Sequence, residues 1–353
     1  MIGRRAETFA GFVVMLAVAL VASSSARAKD AVRVAEGPYI SGGGLYIAQQ
    51  KGYFDKLDLA VEIKRFEEGS LALPAMIAGE IDITFLPAAA NLFNSVAKGA
   101  PIVVFLDRSN NRAGRAYSAT SITQELYDQG IHTVADFAKL KGKKAGVNAL
   151  GSINQYTLSL CLIKAGLNPA TDVQWIVNVP QPDLMKMLGQ RQVDVIDVAY
   201  NIAKFAENNH WGPIAYTGDE VAPGGQIATY AVRKEFLAQH REVLVRWVMA
   251  YLQAAKEFNA AAADPAHHTD IVEILAKNTV LNKPELVTAI APHWSYLNED
   301  GQPNVDSIMA MQDFWSGRYY HFVDKKVTRE QLFDLTVARD ASDRLMREKP
   351  FGP

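Results

Sequence analysis

Short apolar runs rich in β-branched residues recur along the first two thirds of this chain. Each is followed by a turn and then by apolar positions at helical spacing. The strand-like runs are 32–35, 60–63, 81–85, 102–106, 144–147, 173–176, 193–196, 214–216 and 227–232. Strands that alternate with helices in this way are typical of mostly parallel sheets covered by helices on both faces. The pattern therefore predicts an α/β fold.

A polar, arginine-rich stretch at 107–119 separates two such sets and predicts a boundary between two doubly wound lobes. We assign residues 113–225 to lobe II. Lobe I takes 29–112 together with 226–353, because the strand-like run 227–232 indicates that the chain crosses back. From Arg233 onward the apolar positions follow helical spacing only, and we expect helices that pack on lobe I.

The first 28 residues have the order of a cleavable export signal. Arg4 and Arg5 precede an apolar run at 9–22, and small residues follow at 26–28. No cysteine adjoins the cleavage site, so we predict a periplasmic protein without a lipid anchor. General secretion and twin-arginine export both stay open.

Composition narrows the function classes. The chain carries 36 basic and 38 acidic residues, interspersed, with a formal net charge of −2, which gives no basic face for nucleic acid. Cys161 is the only cysteine and lies in an apolar helical pattern, which predicts a buried, inert thiol and no intramolecular disulfide. Phosphate-loop, dinucleotide, metal-ligand and nucleophile motifs are absent from the sequence. We therefore expect no cofactor, no metal site, no catalytic residues and no enzyme activity.

Four strand ends would meet at one cleft if the two lobes face each other, because ligands in such sheets lie beyond the carboxyl ends of the strands. Glycines at the first of these turns, 41–44, would leave backbone N–H groups free to bind an anion. Arg108, beside a strand end, could pair with a carboxylate or sulfonate. Glu67 and Glu68 could instead accept a ligand amine, although acids before a helix start are commonly surface residues.

With these residues in view, the chain resembles the solute-binding proteins of ABC importers, in particular the nitrate, sulfonate and taurine type. The matching stretches are Leu-Tyr-Ile-Ala-Gln-Gln-Lys-Gly-Tyr-Phe at 45–54, Met-Ile-Ala-Gly-Glu-Ile-Asp-Ile at 76–83, Lys-Lys-Ala-Gly-Val at 143–147 with Gly151-Ser152, and Gly-Gln-Arg-Gln-Val-Asp-Val at 189–195. The likeness covers about 32–232.

The resemblance implies the type II periplasmic binding fold, a ligand held between the lobes, and delivery of that ligand to a membrane permease. It implies a small organic anion as ligand, such as a sulfonate, a taurine-like compound or a carboxylate. The apolar run at 86–89 leaves room for a larger or aromatic one. We expect a monomer. The predicted ligand-binding residues are Ser41, Gly42, Gly43, Pro87, Ala88, Arg108, Gly151, Ser152, Ile153 and Asp197.

Two alternative functions use the same fold. One is an enzyme similar to the thiamine-pyrimidine synthases, whose cysteine-rich motif this chain lacks, since it has Cys161 alone. The other is a cleft protein that reports its ligand to a membrane receptor. The export signal is compatible with such a sensor, so the sequence leaves the choice between transport and sensing open.

Overall fold

The computed structural model describes residues 28–352. The predicted signal peptide lies outside the described residues except for Ala28. The strands are β1 (Asp30–Glu36), β2 (Leu59–Arg65), β3 (Ile83–Pro87), β4 (Ile102–Asn110), β5 (Ser118–Ile122), β6 (Lys144–Gly146), β7 (Gln174–Ile176), β8 (Val195–Ala199), β9 (Ile214–Thr217) and β10 (Gln226–Arg233).

Helices follow most strands and dominate the last third. They are α1 (Gly43–Gln50), α2 (Tyr53–Lys56), α3 (Leu73–Ile77), α4 (Ala90–Ala97), α5 (Gln124–Asp128), α6 (Ile153–Lys164), α7 (Gln181–Gly189), α8 (Tyr200–Asn208), α9 (Gly218–Val221), α10 (Lys234–Gln239), α11 (Arg241–Ala263), α12 (Thr269–Asn278), α13 (Pro284–Ala289), α14 (Val305–Trp315), α15 (Arg329–Leu332) and α16 (Thr336–Glu348). Short 3-10 helices occur at Ile40–Gly42, Gly69–Ala72, Val134–Leu140 and Ala291–His293.

The strands form two five-stranded sheets, with the orders β2-β1-β3-β10-β4 and β7-β6-β8-β5-β9. Each sheet has one strand that runs against its neighbours, β10 in the first sheet and β5 in the second. Sheet strands buried on both faces read as continuous apolar runs, and all nine residues of β4 are buried. The architecture confirms the predicted two-lobed α/β fold.

Two segments connect the sheets, one between β4 and β5 and one between β9 and β10. The proposed lobe limits at 112/113 and 225/226 adjoin these segments. Gln226, the first residue of β10, forms hydrogen bonds to β4 and to the C-terminal part of the chain. Its Nε2 donates to Asp107 Oδ1 (2.7 Å), and its Oε1 accepts from the Asn304 backbone N–H (2.7 Å). This network joins the start of β10 to β4 and to the residue before α14, next to both crossing segments.

The long helix α11 covers the sheet of lobe I. Trp247 and Tyr251, one turn apart on the same helix face, stack with ring centroids 5.8 Å apart, and both meet Tyr230 of β10 edge-on. All three side chains are fully buried. The apolar side of α16 joins the same core, which fixes the helical part of the chain on lobe I.

The segment after α14 also contacts lobe II. The Tyr320 and Ser159 hydroxyls lie 3.0 Å apart in a buried contact, and Tyr156 of α6 meets Phe314 edge-on with centroids 5.0 Å apart. Cys161, on the same helix, is buried as predicted, and burial raises the pKa of its thiol. The C-terminal part therefore touches both lobes.

Candidate functional site

The segment after β3 in lobe I meets the segment after β6 in lobe II. The lobes touch where α4 begins, because the Ala90 backbone N–H donates to the Gly151 carbonyl (3.0 Å). A Cβ on Gly151 would lie 2.8 Å from the Ala90 Cβ, so only glycine permits this approach. The structure therefore brings two of the predicted strand-end turns, one from each lobe, into contact.

The glycine turn of lobe I does not offer the free donors that the sequence suggested. The Gly42 N–H donates to the Tyr39 carbonyl (3.0 Å), and the Gly43 N–H donates to the Ile40 carbonyl, because the turn is a 3-10 helix. A Cβ on Gly43 would lie 2.4 Å from the Phe258 ring. The expectation of unpaired donors at Gly42 and Gly43 is wrong, and these glycines serve close packing.

Arg108 is buried beside this turn and paired within lobe I. Its Nε donates to both Glu36 carboxylate oxygens (3.1 and 3.2 Å), its Nη2 donates to Glu36 Oε1 (2.5 Å), and its Nη1 donates to Ser41 Oγ (3.0 Å). Tyr230 also donates to Glu36. Burial by itself lowers the pKa of Arg108, but the Glu36 carboxylate outweighs this effect and the net pKa is raised. The guanidinium therefore stays protonated, and the Glu36 carboxylate balances its charge.

Pro87 and Ala88 end β3 at the cleft. The Ala88 N–H donates to the Ile227 carbonyl (3.0 Å), and Pro87 pairs with Ala228 of β10. Pro87 is partly exposed, whereas Ala88 is buried. These residues can shape an apolar wall, but the Ala88 donor is used inside the sheet.

In lobe II, the predicted turn Gly151 to Ile153 opens helix α6. Gly151 has φ +71°, the left-handed conformation that glycine adopts without strain, and its N–H donates to Gln155 Oε1 (2.7 Å). Ser152 is the N-cap and accepts from the Gln155 N–H (3.2 Å). Ile153 packs in an apolar cluster with residues of lobe I. This turn meets the other lobe through apolar and backbone contacts.

Asp197 lies in the middle of β8 and not beyond its end as the sequence suggested, and it is fully buried among polar side chains. Its oxygens accept from Thr120 Oγ1 (2.7 Å) and Asn154 Nδ2 (2.6 Å), and Gln181 contacts Asn154 in turn (3.4 Å). Burial raises the pKa of Asp197 to about 7, although both hydrogen bonds favour the carboxylate. The Asp197 carboxyl therefore has a pKa near neutral pH, and its hydrogen-bond donors belong to lobe II.

Because the pKa of Asp197 is raised in the folded protein, the free energy of unfolding should depend on pH. The carboxyl has a pKa near 3.9 in an unfolded chain, so its stabilising contribution is full below that value and is lost as pH rises towards 7. Relative to Asp197→Asn, the wild type should lose about 1–3 kcal/mol of unfolding free energy between pH 5 and pH 8. Urea unfolding at both pH values measures this difference.

The exposed Asp183→Asn variant is the matched control for this experiment, because Asp183 lies on the surface and pairs with Lys186 three residues further along its helix. Its difference from the wild type should be the same at both pH values. A pH-independent difference for Asp197→Asn would show that the buried carboxyl does not titrate in this range.

The sequence pattern does not point to several side chains that the structure places near the predicted site residues. Glu36 ends β1, and Tyr117 immediately precedes β5, whose strand pattern was hidden by the polar stretch before it. Gln181, at the start of α7, accepts from the Ala199 N–H (2.8 Å). Glu68 was considered only as an alternative ligand group. Only the pairing of distant strands places these residues together.

Among residues 28–352, no helix is long and apolar enough to cross a bilayer. The same residues contain no group of three or more histidine, cysteine, aspartate or glutamate side chains placed to hold a metal ion.

This fold and cleft define the class of two-lobed periplasmic binding proteins, and known structures agree. The aliphatic sulphonate binding protein SsuA of Escherichia coli aligns with a TM-score of 0.68 at 19% identity, covering 86% of this chain and 92% of that one. The nitrate-binding protein NrtA of Synechocystis aligns with a TM-score of 0.68 at 13% identity, covering 90% and 89%.

Sequence comparison identifies the family. The NMT1-like family profile matches residues 25–276, and the chain belongs to this family. A protein of Brucella abortus named as a binding protein is 26% identical over 253 residues, which is 69% of each chain. The predicted resemblance to ABC-type solute-binding proteins is confirmed.

Proposed function

We propose that this protein is the periplasmic solute-binding component of an ABC importer. It would hold a small organic solute between its lobes and deliver it to a membrane permease. The observation that carries this proposal is the meeting of the two lobes at their strand-end turns, through the Ala90–Gly151 backbone contact and the apolar packing of Ile153 against lobe I. The names of the sulphonate- and nitrate-binding structural neighbours and of the Brucella binding protein support the same role.

The ligand range predicted from the sequence comprises sulfonates, taurine-like compounds and carboxylates, including aromatic ones. The apolar wall at Pro87 and Ala88 supports an organic over an inorganic solute. The site gives less support to a simple anion, because Arg108 is neutralised by Glu36. Taurine, which carries an ammonium group as well as a sulfonate, stays within this range.

Ligand binding should be measurable without any added cofactor. We expect the mature protein to gain thermal stability with a small organic solute, because binding to the folded state alone raises Tm. A thermal-shift screen of charged metabolites, followed by calorimetry of the compounds that bind, tests this. Turnover of a compound with no stable complex would instead favour an enzyme.

The function also requires that the lobes close on the ligand. Gly151→Val places a branched side chain where Ala90 approaches, and the position has positive φ. We expect this variant to stay more open and to bind ligand roughly tenfold or more weakly, since closure completes the site. Small-angle X-ray scattering with and without ligand should show compaction of the wild type and none of Gly151→Val.

The control for closure is Gly142→Val, which has a similar backbone angle (φ +78°) but open space around it and lies away from the strand ends of the cleft. It carries the same backbone strain and should compact like the wild type. Equal compaction of Gly151→Val would contradict the closure mechanism.

A further inference from the structure

Helix α6 of lobe II packs in two different cores. Its residues Leu158, Cys161 and Leu162 lie in the apolar cluster of lobe II. Ile153 and Tyr156, which are three residues apart in the first turns of the same helix, pack in the apolar cluster of lobe I, together with the end of α14. One face of α6 therefore belongs to the core of the other lobe.

The segment that packs on this face of α6 is residues 314–322, which we call the aromatic loop. Tyr156 meets Phe314 edge-on with ring centroids 5.0 Å apart, and its ring lies 6.1 Å from the ring of Trp315. The hydroxyl groups of Tyr320 and Ser159 lie 3.0 Å apart, and both residues are buried. A buried hydrogen bond and an aromatic contact thus join the aromatic loop to lobe II.

The aromatic loop is anchored to lobe I at both ends. The Phe322 N–H donates to the Trp315 carbonyl (2.9 Å), and Asn94 Nδ2 of α4 donates to the Phe322 carbonyl (2.7 Å). Just beyond the loop, Gln312 Nε2 donates to the Val327 carbonyl (3.0 Å), and Gln312 Oε1 accepts from the Val327 N–H (2.8 Å). When the lobes separate, the loop should therefore stay with lobe I, and its contacts with α6 should break.

Helix α14 separates the aromatic loop from the segments where the chain crosses between the lobes. The helix begins beside Gln226, whose N–H donates to Ser307 Oγ (2.9 Å), and it ends at Trp315. Its 11 residues span about 16 Å. The loop lies instead beside the inter-lobe turn, since a Cβ on Gly151 would be 3.7 Å from the Phe322 ring. Rotation of lobe II about the crossing segments should therefore pull α6 away from the loop.

We propose that the aromatic loop is a latch that favours the closed arrangement of the two lobes. Its contacts with α6 form only when the lobes are closed, so they lower the free energy of the closed form relative to an open one, with or without a bound solute. A solute then has to supply only the rest of the free energy of closing. The latch consists of the chain's own residues and does not depend on which solute the cleft accepts.

Two measurements on the ligand-free protein test the latch. Spin labels on Lys98→Cys of lobe I and Lys186→Cys of lobe II, both exposed positions, report the distance between the lobes, and the buried Cys161 does not react with the label. Hydrogen exchange of the Ala90 amide, measured by NMR, reports opening even when the open form is rare, because this N–H donates to Gly151 across the lobes.

Two variants weaken the latch in different ways. Tyr156→Ala removes the aromatic contact of α6, and we expect the ratio of open to closed molecules to rise roughly tenfold. Tyr320→Phe removes only the hydroxyl that meets Ser159, and we expect a rise of roughly threefold. Exchange of the Ala90 amide should become faster by the same factors.

Tyr127→Ala and Tyr319→Phe are the matched controls. Tyr127 packs in the core of its own lobe, and the Tyr319 hydroxyl accepts from Arg318 within the aromatic loop. Both controls should keep the wild-type distances and the wild-type exchange of the Ala90 amide. Unchanged opening in both latch variants, or equal opening in the controls, would overturn the latch. A solute screen without any binder would overturn the solute-binding function alone, since both measurements are made without solute.

Discussion

Replacing Arg108 with methionine should lower the free energy of unfolding by about 3–5 kcal/mol, because it leaves the Glu36 carboxylate buried without a counter-charge. Glu36 is fully buried and receives three donor groups from Arg108 and Tyr230. Losing one partner of a buried ion pair costs more than the pair itself contributes. Urea unfolding of the purified variant measures the loss.

Two further variants test whether the loss of stability comes from the unpaired Glu36 carboxylate. Arg112→Met removes an exposed guanidinium that lies 4.3 Å from the Tyr296 ring centre, and it should change stability by less than about 1 kcal/mol. The double variant Glu36→Gln with Arg108→Met should recover part of the loss, since no charge stays buried. An Arg108→Met protein of unchanged stability that has lost ligand binding would restore Arg108 as a direct ligand contact.

The second large effect is expected at Gly69. A Cβ at this position would lie 1.6 Å from the Phe85 carbonyl oxygen, a backbone atom of the sheet that cannot rotate away. Gly69→Ala must therefore move the loop after β2 or the end of β3, at a cost of more than about 3 kcal/mol. Thermal and urea unfolding both report this loss.

The neighbouring Ser70→Ala variant removes a partly exposed hydroxyl and should stay within about 0.5 kcal/mol of the wild type. Normal stability of Gly69→Ala would mean that the loop is not held against Phe85.

The sequence predicted the two sets of strands and helices, because most of the buried strands contain a run of apolar residues. It missed β5, whose residues Ser118–Ile122 include three serine and threonine side chains and follow a polar stretch. All five residues are nonetheless buried, since β5 lies between β8 and β9 and its hydroxyl groups are enclosed in lobe II. Polarity is a poor guide to exposure where a strand is central in its sheet.

The candidate site could be located from the sequence but its chemistry could not. Strand ends are local signals, so the turns at Gly42 and Gly151 were identified as cleft elements. Whether a donor is free depends on partners far along the chain: Glu36 and Arg108 are 72 residues apart, and Ala90 meets Gly151 across the lobes. The charge that a ligand meets is thus a tertiary property. The anion expectation drew on the glycine N–H groups, on Arg108 and on the family resemblance, and the sequence did not show that Arg108 is paired with Glu36.

The position of β10 has a consequence for how the chain is assembled. This strand lies between β3 and β4, so the sheet of lobe I stays incomplete until residue 233 has been synthesised. The sheet of lobe II uses only residues 118–217, a continuous stretch with no missing member. Contacts distant in sequence form slowly because the loop between them must first close. Lobe II can therefore complete its sheet first, and lobe I is the later-folding half.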